Sequence, residues 1–323
     1  MTNAEIPVLS RAPLEGMAEA YSGARLERVV MADGRRLVFK HLPPSGDWLT
    51  RVSGGTDRVR RLWESGLLAR MAPFVDHTVI DVIRLDDHDV VVMRDVSDLL
   101  LPPLVPVSRV VSRRLLAGLA AFHEAGRNEP IQHLCPIGAH YGMFRPLADR
   151  RPGANPNRDR IVAGWEIFAH EADADVAAVA LALHCEPEIL GRRLARLDAT
   201  LVHGDVKLEN LGLGPNLLIA VDWGDLTGFG PIEIDVAWYA VQNTWRIGGS
   251  PGDAFADYEA VASRPLDRES LDLACVGSLA QMGWKLAHRA VTDEQAKVRT
   301  AARAQLDWWT ARVRAALDRV GSL

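Results

Sequence analysis

The segment of residues 201–224 constrains the fold of this chain more than any other. Asp205 and Asn210 stand close together, and after them two short apolar stretches flank a Gly-Pro-Asn turn at residues 214–216 and end at Asp222. This pattern predicts a β-hairpin. Because a hairpin returns the chain to its starting point, we expect Asp222 to lie near Asp205 and Asn210, so that three oxygen-bearing side chains meet.

Three such side chains suit phosphoryl transfer. One carboxylate orients the attacking hydroxyl and accepts its proton, while other oxygen atoms hold Mg²⁺ against the nucleotide phosphates. Asp205 fits the first role, and Asn210 and Asp222 fit the second. The spacing H-x-D-x-x-x-x-N with a later D-x-G matches the catalytic-loop and metal-loop signatures of protein kinases, with Gly204 in place of Arg and Trp223 in place of Phe.

The N-terminal third of the chain predicts a small antiparallel sheet and one helix. The helical pattern runs from Thr56 to Met71 and places Glu64 on one face with Leu67 and Leu68. A carboxylate on an apolar face requires a nearby cation. Four β-rich stretches precede or follow this helix: residues 26–31, 36–41, 78–85 and 90–93.

The rest of the chain is predicted to be mainly helical. An arginine-, proline- and glycine-rich segment at residues 145–160 is the candidate for a mobile loop, with a solvated surface loop without a role as the alternative. Helical patterns cover residues 108–125, 173–197, 231–242, 253–261, 268–291 and 294–320.

With these motifs, the chain resembles the aminoglycoside phosphotransferase and choline kinase group of kinase-like enzymes, whose hallmark is a His-Gly-Asp or His-Asn-Asp catalytic loop. The resemblance runs from the strand of Lys40 through Asp235. It implies an α+β, two-lobed protein-kinase-like fold. The small antiparallel-sheet N-lobe would cover residues 1–96. The larger, mainly helical C-lobe would cover residues 97–323, with an insertion at residues 127–200.

The resemblance implies a role for each residue that matches the motifs. Asp205 would be the catalytic base, and Asn210 and Asp222 would be the Mg²⁺ ligands. Lys40 would bind the α- and β-phosphates. Glu64 would be its ion-pair partner on the helix.

The resemblance also implies supporting and nucleotide-binding positions. His203 and Asp235 would support the catalytic loop. Ser22 and Gly23 stand where a loop would cover the phosphates, with the ordinary start of a strand as an equal alternative. The adenine-binding hinge, working through its backbone, would be Met93, Arg94, Asp95 and Val96.

Lysine is rare in this chain, which otherwise uses arginine for positive charge. A compact ammonium on a flexible stem suits a phosphate better than a planar guanidinium does. Lys40 ends the second predicted strand, and Lys207 follows shortly after Asp205. We therefore expect Lys207 to act in catalysis by contacting the γ-phosphate, in a position that resembles serine/threonine protein kinases.

The acceptor is expected to be a small molecule. Protein kinases bind peptides on a long segment after the metal loop, whereas here Gly224 is followed almost at once by Gly230. Residues 201–323 carry 16 acids and 12 bases. This balance favours a cationic or neutral acceptor such as an aminoglycoside or amino sugar, unless the charges lie on solvated faces. Four aromatic residues either line its pocket or belong to the core: Trp238, Tyr239, Trp245 and Trp284.

Two other functions stay open, a protein serine/threonine kinase-like enzyme and a non-catalytic nucleotide-binding module. Lys40, Asp205, Asn210 and Asp222 are all present, and only chemistry requires all four. We therefore favour a kinase that uses ATP, or alternatively GTP, with Mg²⁺. Asp225, beside the motif, is expected in a solvated turn.

Composition limits the partners. The net charge is -5, so we expect neither nucleic acid nor an anionic membrane as a partner. The longest apolar run, residues 176–183, is too short to span a bilayer. The three cysteines lack C-x-x-C spacing, which favours a reducing compartment without a zinc site. We expect a cytoplasmic enzyme, and the sequence leaves its oligomeric state open.

Overall fold

The computed structural model describes residues 7–14, 24–42, 48–55, 57–128, 134–145 and 157–321. Ser22 and Gly23, the predicted phosphate-covering residues, lie outside the described residues, and so does most of the predicted loop at 145–160.

The described residues form ten strands and twelve α-helices. The strands are β1 (Val8–Pro13), β2 (Arg25–Met31), β3 (Arg36–His41), β4 (Val75–Asp76), β5 (Val79–Arg84), β6 (Asp89–Arg94), β7 (Thr200–Val202), β8 (Leu211–Leu213), β9 (Leu218–Ala220) and β10 (Gly228–Gly230). The helices are α1 (Trp48–Ser53), α2 (Arg58–Glu64), α3 (Leu67–Met71), α4 (Arg109–Ala125), α5 (Ile137–Gly142), α6 (Arg158–Glu171), α7 (Ala174–Cys185), α8 (Glu188–Leu194), α9 (Glu233–Ile247), α10 (Pro251–Glu259), α11 (Arg268–Thr292) and α12 (Ala296–Val320).

The N-terminal sheet is antiparallel, with strand order β1-β2-β3-β6-β5. The turn between β2 and β3 uses Gly34 at φ +85°, a conformation that glycine adopts without steric cost. Alternate residues face opposite sides of the sheet. Leu37 and Val92 belong to a small outer cluster, whereas Val91 belongs to the main core on the inner side. Lys40 pairs with Val91 across the sheet, so its side chain also points inward.

The C-terminal part is mainly helical and holds most of the core. Helix α11 is buried over nearly its whole length and packs against α6, α9 and α12. Large side chains fill the centre without solvent exposure, including Trp284, Trp309 and Tyr239. The structure therefore has the predicted α+β architecture, with a sheet-based N-terminal part and a larger helical part. Among the described residues, no helix is both long enough and apolar enough to cross a membrane.

Three short strand pairs lie around residues 203–210, the segment that contains Asp205 and Asn210. β7 pairs with β10, and β8 pairs with β9 as the predicted hairpin. β4 adds a parallel pair to β9 and so connects the N-terminal part to this hairpin. Residues 203–210 therefore form a loop that starts at β7 and ends at β8.

Several predicted elements differ in extent from the observed ones. The helix predicted at residues 56–71 is divided at Gly66, which has φ +70°, into α2 and α3. The helix predicted at residues 173–197 is divided into α7 and α8 before Glu188, because Pro187 lacks the N–H that would continue the helix. The sequence did not predict β1, β4, β10, α1, α5 or α6.

Candidate active site

Asp235, in the first turn of α9, supports the start of the loop after β7. Its carboxylate accepts hydrogen bonds from the backbone N–H groups of His203 at 2.7 Å and Gly204 at 2.8 Å. The ring of His123 lies 3.1 Å from the same carboxylate. Burial is the largest single influence on Asp235 and opposes its ionisation, but the interactions with His123, His203 and the N–H of Gly204 together outweigh burial, and the pKa is lowered. A buried, charged carboxylate thus fixes the backbone of the loop.

Gly204 occupies a position that no other residue could fill without a backbone shift. Its φ is +81°, and an added Cβ would lie 2.1 Å from the carbonyl oxygen of Leu226. This close approach brings the loop against the segment that follows Asp222. It explains why glycine stands where the kinase signature has arginine.

Asp205 is buried and receives three hydrogen-bond or ion-pair donors. The indole N–H of Trp238 donates to Oδ1 at 3.1 Å, and the amide of Asn210 donates to Oδ2 at 2.9 Å. The ammonium of Lys207 lies 2.9 Å from Oδ2. The carboxylate is therefore held in one orientation by groups from α9 and from its own loop.

His203 has both ring nitrogens committed to the backbone. The N–H of Asp205 donates to Nδ1 at 3.2 Å, which leaves Nε2 as the protonated nitrogen, donating to the carbonyl of Val221 at 3.0 Å. The ring also packs edge-on against Trp223, with centroids 4.6 Å apart. His203 thus connects the catalytic-loop segment to the strand end that carries Asp222.

Helix α9 contributes two residues that the sequence interpretation did not assign to this loop. Asn243 accepts from the N–H of Leu208 and donates to the carbonyl of Val206, both at 2.9 Å. Trp238 was considered only as an acceptor-stacking or core residue, but it also holds Asp205. Asn243 lies eight positions after Asp235, so both fall on one helix face. A polar residue repeated on the buried face of a helix was the signal that could have identified it.

Asp222 follows β9 with φ +69°, an unusual backbone conformation for a non-glycine residue. Its Oδ1 lies 2.5 Å from the Lys40 ammonium. The partly desolvated position opposes ionisation, but the charges of Lys40 and Lys207 outweigh this and hold the pKa of Asp222 well below its usual range. Asp222 is therefore ionised at neutral pH.

The predicted ion pair between Lys40 and Glu64 is wrong. The Glu64 side chain is 58% exposed and pairs with Arg60 on its own helix, at 3.0 Å. Lys40 instead contacts Asp222. The physical reason is the helix division at Gly66, because the face shared with Leu67 and Leu68 does not continue back to Glu64.

A cavity of about 280 Å³ lies between the N-terminal sheet and the helical part. Lys40, Asp205, Lys207, Asn210 and Asp222 all line it. Its sheet side is largely apolar. The residues on that side and at the hinge include Leu26, Val38, Met93, Arg94 and Val96, and those at the opposite end include Met143, Phe144, Trp238, Gln242, Trp245 and Lys285.

The residues of the predicted hinge have two different roles: some line the cavity, and one stabilises the bend of the chain. Arg94 and Val96 line the cavity, whereas the buried carboxylate of Asp95 accepts from Arg28 at 2.8 Å and from the Ser97 N–H at 3.0 Å. Asp95 thus supports the bend of the chain. Its backbone N–H donates to the carbonyl of Arg36 at 3.0 Å.

The four candidate acceptor aromatics also divide. Trp238 and Trp245 line the cavity, and the guanidinium of Arg289 stacks on Trp245 at 4.4 Å from the ring centroid. Tyr239 and Trp284 have no solvent exposure and belong to the core. Of the two expected roles, pocket lining or core packing, these two residues therefore have the second.

This fold and this cluster of side chains define a two-lobed, kinase-like phosphotransferase. The sequence model of the phosphotransferase enzyme family (APH) matches residues 28–273, so the chain belongs to this family and is a small-molecule kinase. No curated protein sequence matches the chain.

Solved structures show the same fold at low sequence identity. A spectinomycin phosphotransferase in complex with ADP and spectinomycin is 13% identical, with a TM-score of 0.52 and coverage of 96% of this chain and 94% of that chain. The choline kinase LicA from Streptococcus pneumoniae is 14% identical, with a TM-score of 0.52 and coverage of 96% and 92%.

Proposed function

We propose that this kinase transfers the γ-phosphate of ATP to a hydroxyl of a small polar molecule, with Asp205 as the base. The observation that carries the proposal is the convergence of Lys40, Asp205, Asn210 and Asp222 on one cavity between the two lobes. Each side chain has the chemistry that phosphoryl transfer requires at its position.

Asp205 is oriented for proton transfer. Its three donors fix the carboxylate but leave about one acceptor site for the acceptor hydroxyl, because a carboxylate offers about four such sites. The hydroxyl oxygen attacks the γ-phosphorus while its proton passes to Asp205, and the bond to the bridging oxygen of ADP breaks. Lys207, beside Asp205, supplies positive charge to the transferred phosphoryl group.

Asn210 and Asp222 fit Mg²⁺ as hard oxygen ligands. The amide nitrogen of Asn210 is used by Asp205, at 2.9 Å from Oδ2 and 3.0 Å from the main-chain carbonyl, which leaves the amide oxygen as its ligand atom. Asp222 is ionised and borders the cavity. When bound, the metal neutralises charge on the nucleotide phosphates. His203 and Asp235 keep these ligands in place through the backbone.

The nucleotide is proposed to bind at the sheet side of the cavity. Met93, Arg94 and Val96 line that side, and the Lys40 ammonium reaches from the sheet toward the phosphates. We propose ATP, with GTP as the alternative to be compared directly. Ser22 and Gly23 keep their proposed role over the phosphates, outside the described residues.

The acceptor is proposed to be an amino sugar, an aminoglycoside or a similar polar alcohol. The acidic balance of residues 201–323 gives this choice little support, because several acids pair elsewhere. Asp257 binds Arg109 and Arg113 at 2.6 to 2.9 Å, and Asp272 binds arginines of α12 at 2.6 to 2.8 Å. The charge of the acceptor is therefore a question for a matched set of compounds.

The test is a coupled assay of ADP release with kanamycin, choline, glucosamine, N-acetylglucosamine and glucuronate as acceptors. The three sugars differ in charge but little in size. Asp205→Asn should lower turnover with the best acceptor by about 100-fold or more, since it removes the base. It should leave nucleotide affinity, measured by calorimetry, unchanged. Wild-type turnover in the variant would remove Asp205 from its proposed role.

A further inference from the structure

Helices α1 and α2 grip the loop that follows Asp222. Arg58, the first residue of α2, is only 4% exposed. Its Nη1 donates to the hydroxyl of Ser53 at 2.6 Å and to the backbone carbonyl of Asp225 at 2.8 Å, and its Nη2 donates to the carbonyl of Ser53. One buried guanidinium therefore connects the end of α1, the start of α2 and the loop after Asp222.

A second contact from α1 reaches the same residue of the loop. The hydroxyl of Thr50 donates to Oδ1 of Asp225 at 3.0 Å. Asp225, expected in a solvated turn, is thus held by α1 through its side chain and by α2 through its backbone. Directly before it, an added Cβ on Gly224 would lie 3.0 Å from Cβ of Val59. The loop therefore packs closely against the start of α2 at Gly224.

This contact lies next to the proposed metal ligand. A small cavity of about 20 Å³ is lined by Lys40, Arg58, Asp222 and Asp225, so the Arg58 clamp and the Asp222 carboxylate border the same space. From the C-terminal part, Phe122 of α4 packs edge-on against the ring of Trp223, with centroids 5.5 Å apart. The loop is therefore held from both lobes within three residues of Asp222.

The cost of burying a guanidinium argues that Arg58 has a specific role. Removing a cation from water costs several kcal/mol, and apolar residues of similar size often stabilise a core as well or better. Asp222 also keeps a left-handed backbone, which persists only when its surroundings enforce it. The contacts of Arg58 and Thr50 with Asp225 supply such enforcement.

We infer that Arg58 and Thr50 are positioning residues that aim Asp222 at the metal. They couple the N-lobe helices to the active site. This inference rests on the proposed role of Asp222 as a Mg²⁺ ligand. Outer contacts of a metal ligand typically change metal affinity 10- to 100-fold when removed.

The test measures how strongly Mg²⁺ tightens nucleotide binding, so that no acceptor is needed. Calorimetry with AMP-PNP, with and without Mg²⁺, gives this ratio for wild type, Arg58→Lys, Thr50→Val and Thr50→Ser. We expect Arg58→Lys and Thr50→Val to lower the ratio about 10-fold. The metal-free affinity should stay unchanged, and Thr50→Ser, which keeps the hydroxyl, should preserve the ratio.

Two controls keep the outcomes distinct. Arg60→Lys makes the same substitution at another arginine of α2. The contacts of Arg60 are with Asp57 and Glu64, so this variant should preserve the ratio. Asp222→Asn should lower the ratio in its own right, and if it does not, the proposed metal role of Asp222 fails. If Asp222→Asn lowers the ratio while Arg58→Lys and Thr50→Val leave it at the wild-type value, the positioning role alone is overturned. A thermal melt of each variant shows whether a lowered ratio reflects unfolding, and Thr50→Val, the smaller change, then decides.

Discussion

At the scale of single residues, Asp222 combines two unusual properties, a left-handed backbone and a carboxylate with a lowered pKa. Asparagine is the informative replacement. It tolerates the left-handed region and keeps the shape of the side chain, but it removes the negative charge.

Asp222→Asn should weaken binding of Mg·AMP-PNP at least 10-fold and leave binding of metal-free AMP-PNP within about twofold, on the scale for changes at a metal site. The reason is that the metal-bound complex uses the carboxylate as a ligand, whereas metal-free AMP-PNP does not. Calorimetry with excess Mg²⁺ and with EDTA separates the two cases. Equal weakening in both would show that the substitution damages the cleft instead of a metal ligand.

Some contacts between single residues of the site could be predicted from the sequence, and others could not. The spacing of Asp205, Asn210 and Asp222 was enough to bring them together, because a short hairpin leaves few alternatives for the return of the chain. The hydrogen bond from Trp238 to Asp205 was not predictable in the same way. It depends on how α9 packs against the loop, and aromatic residues at helical spacing carry no such information.

At the scale of elements, α2 determines which charged groups face the cleft. The helix ends at Glu64, and Gly66 starts a new direction for α3. The helical pattern in the sequence continues through Ser65 and Gly66, so it predicted a shared face for Glu64, Leu67 and Leu68 that the structure does not have. The neighbouring Arg58, which carries the contact to the metal loop, has no pattern in the sequence that distinguishes it from the exposed arginines around it.

Lys40→Ala should raise the Michaelis constant for ATP or lower turnover by about 10-fold or more, on the scale of a lost charge contact. Glu64→Ala should change neither quantity by more than about twofold, because its ion pair with Arg60 is exposed. Because the two side chains do not contact each other, their effects should be additive in the double variant. Steady-state kinetics of the four proteins, using the best acceptor, give the comparison. A double variant no worse than Lys40→Ala alone, together with a clear Glu64→Ala defect, would restore the pair as a functional unit.

At the scale of the whole molecule, Glu233 connects two long helices of the C-terminal part. It lies in the first turn of α9, is 3% exposed, and accepts from the N–H of Asp267, the N-cap of α11, at 2.7 Å. Burial raises the pKa of Glu233 from 4.5 to about 7. The folded protein therefore keeps a proton that the unfolded chain releases between these values.

The free energy of unfolding should consequently fall as the pH rises from about 4.5 to 7 through this group. Glu233→Gln keeps an oxygen for the Asp267 N–H and removes the titration. Relative to wild type, the variant should gain up to about 3 kcal/mol between pH 4.5 and 8. Urea unfolding at several pH values measures the difference. Parallel stability curves for the two proteins would show that Glu233 does not retain its proton on folding.

The pairing of β7 with β10 has a further consequence. The loop that carries Asp205 begins where β7 ends, and the loop that carries Asp222 ends where β10 begins. Amide protons of these two strands should therefore exchange with solvent together, in a single cooperative opening, since neither strand can detach without freeing its partner. The hydrogen bonds between β7 and β10 close the chain that contains both loops into a ring, and both strands belong to the C-terminal part. On heating, we expect this ring to stay closed until the surrounding helices melt, so that loss of turnover coincides with global unfolding and does not precede it.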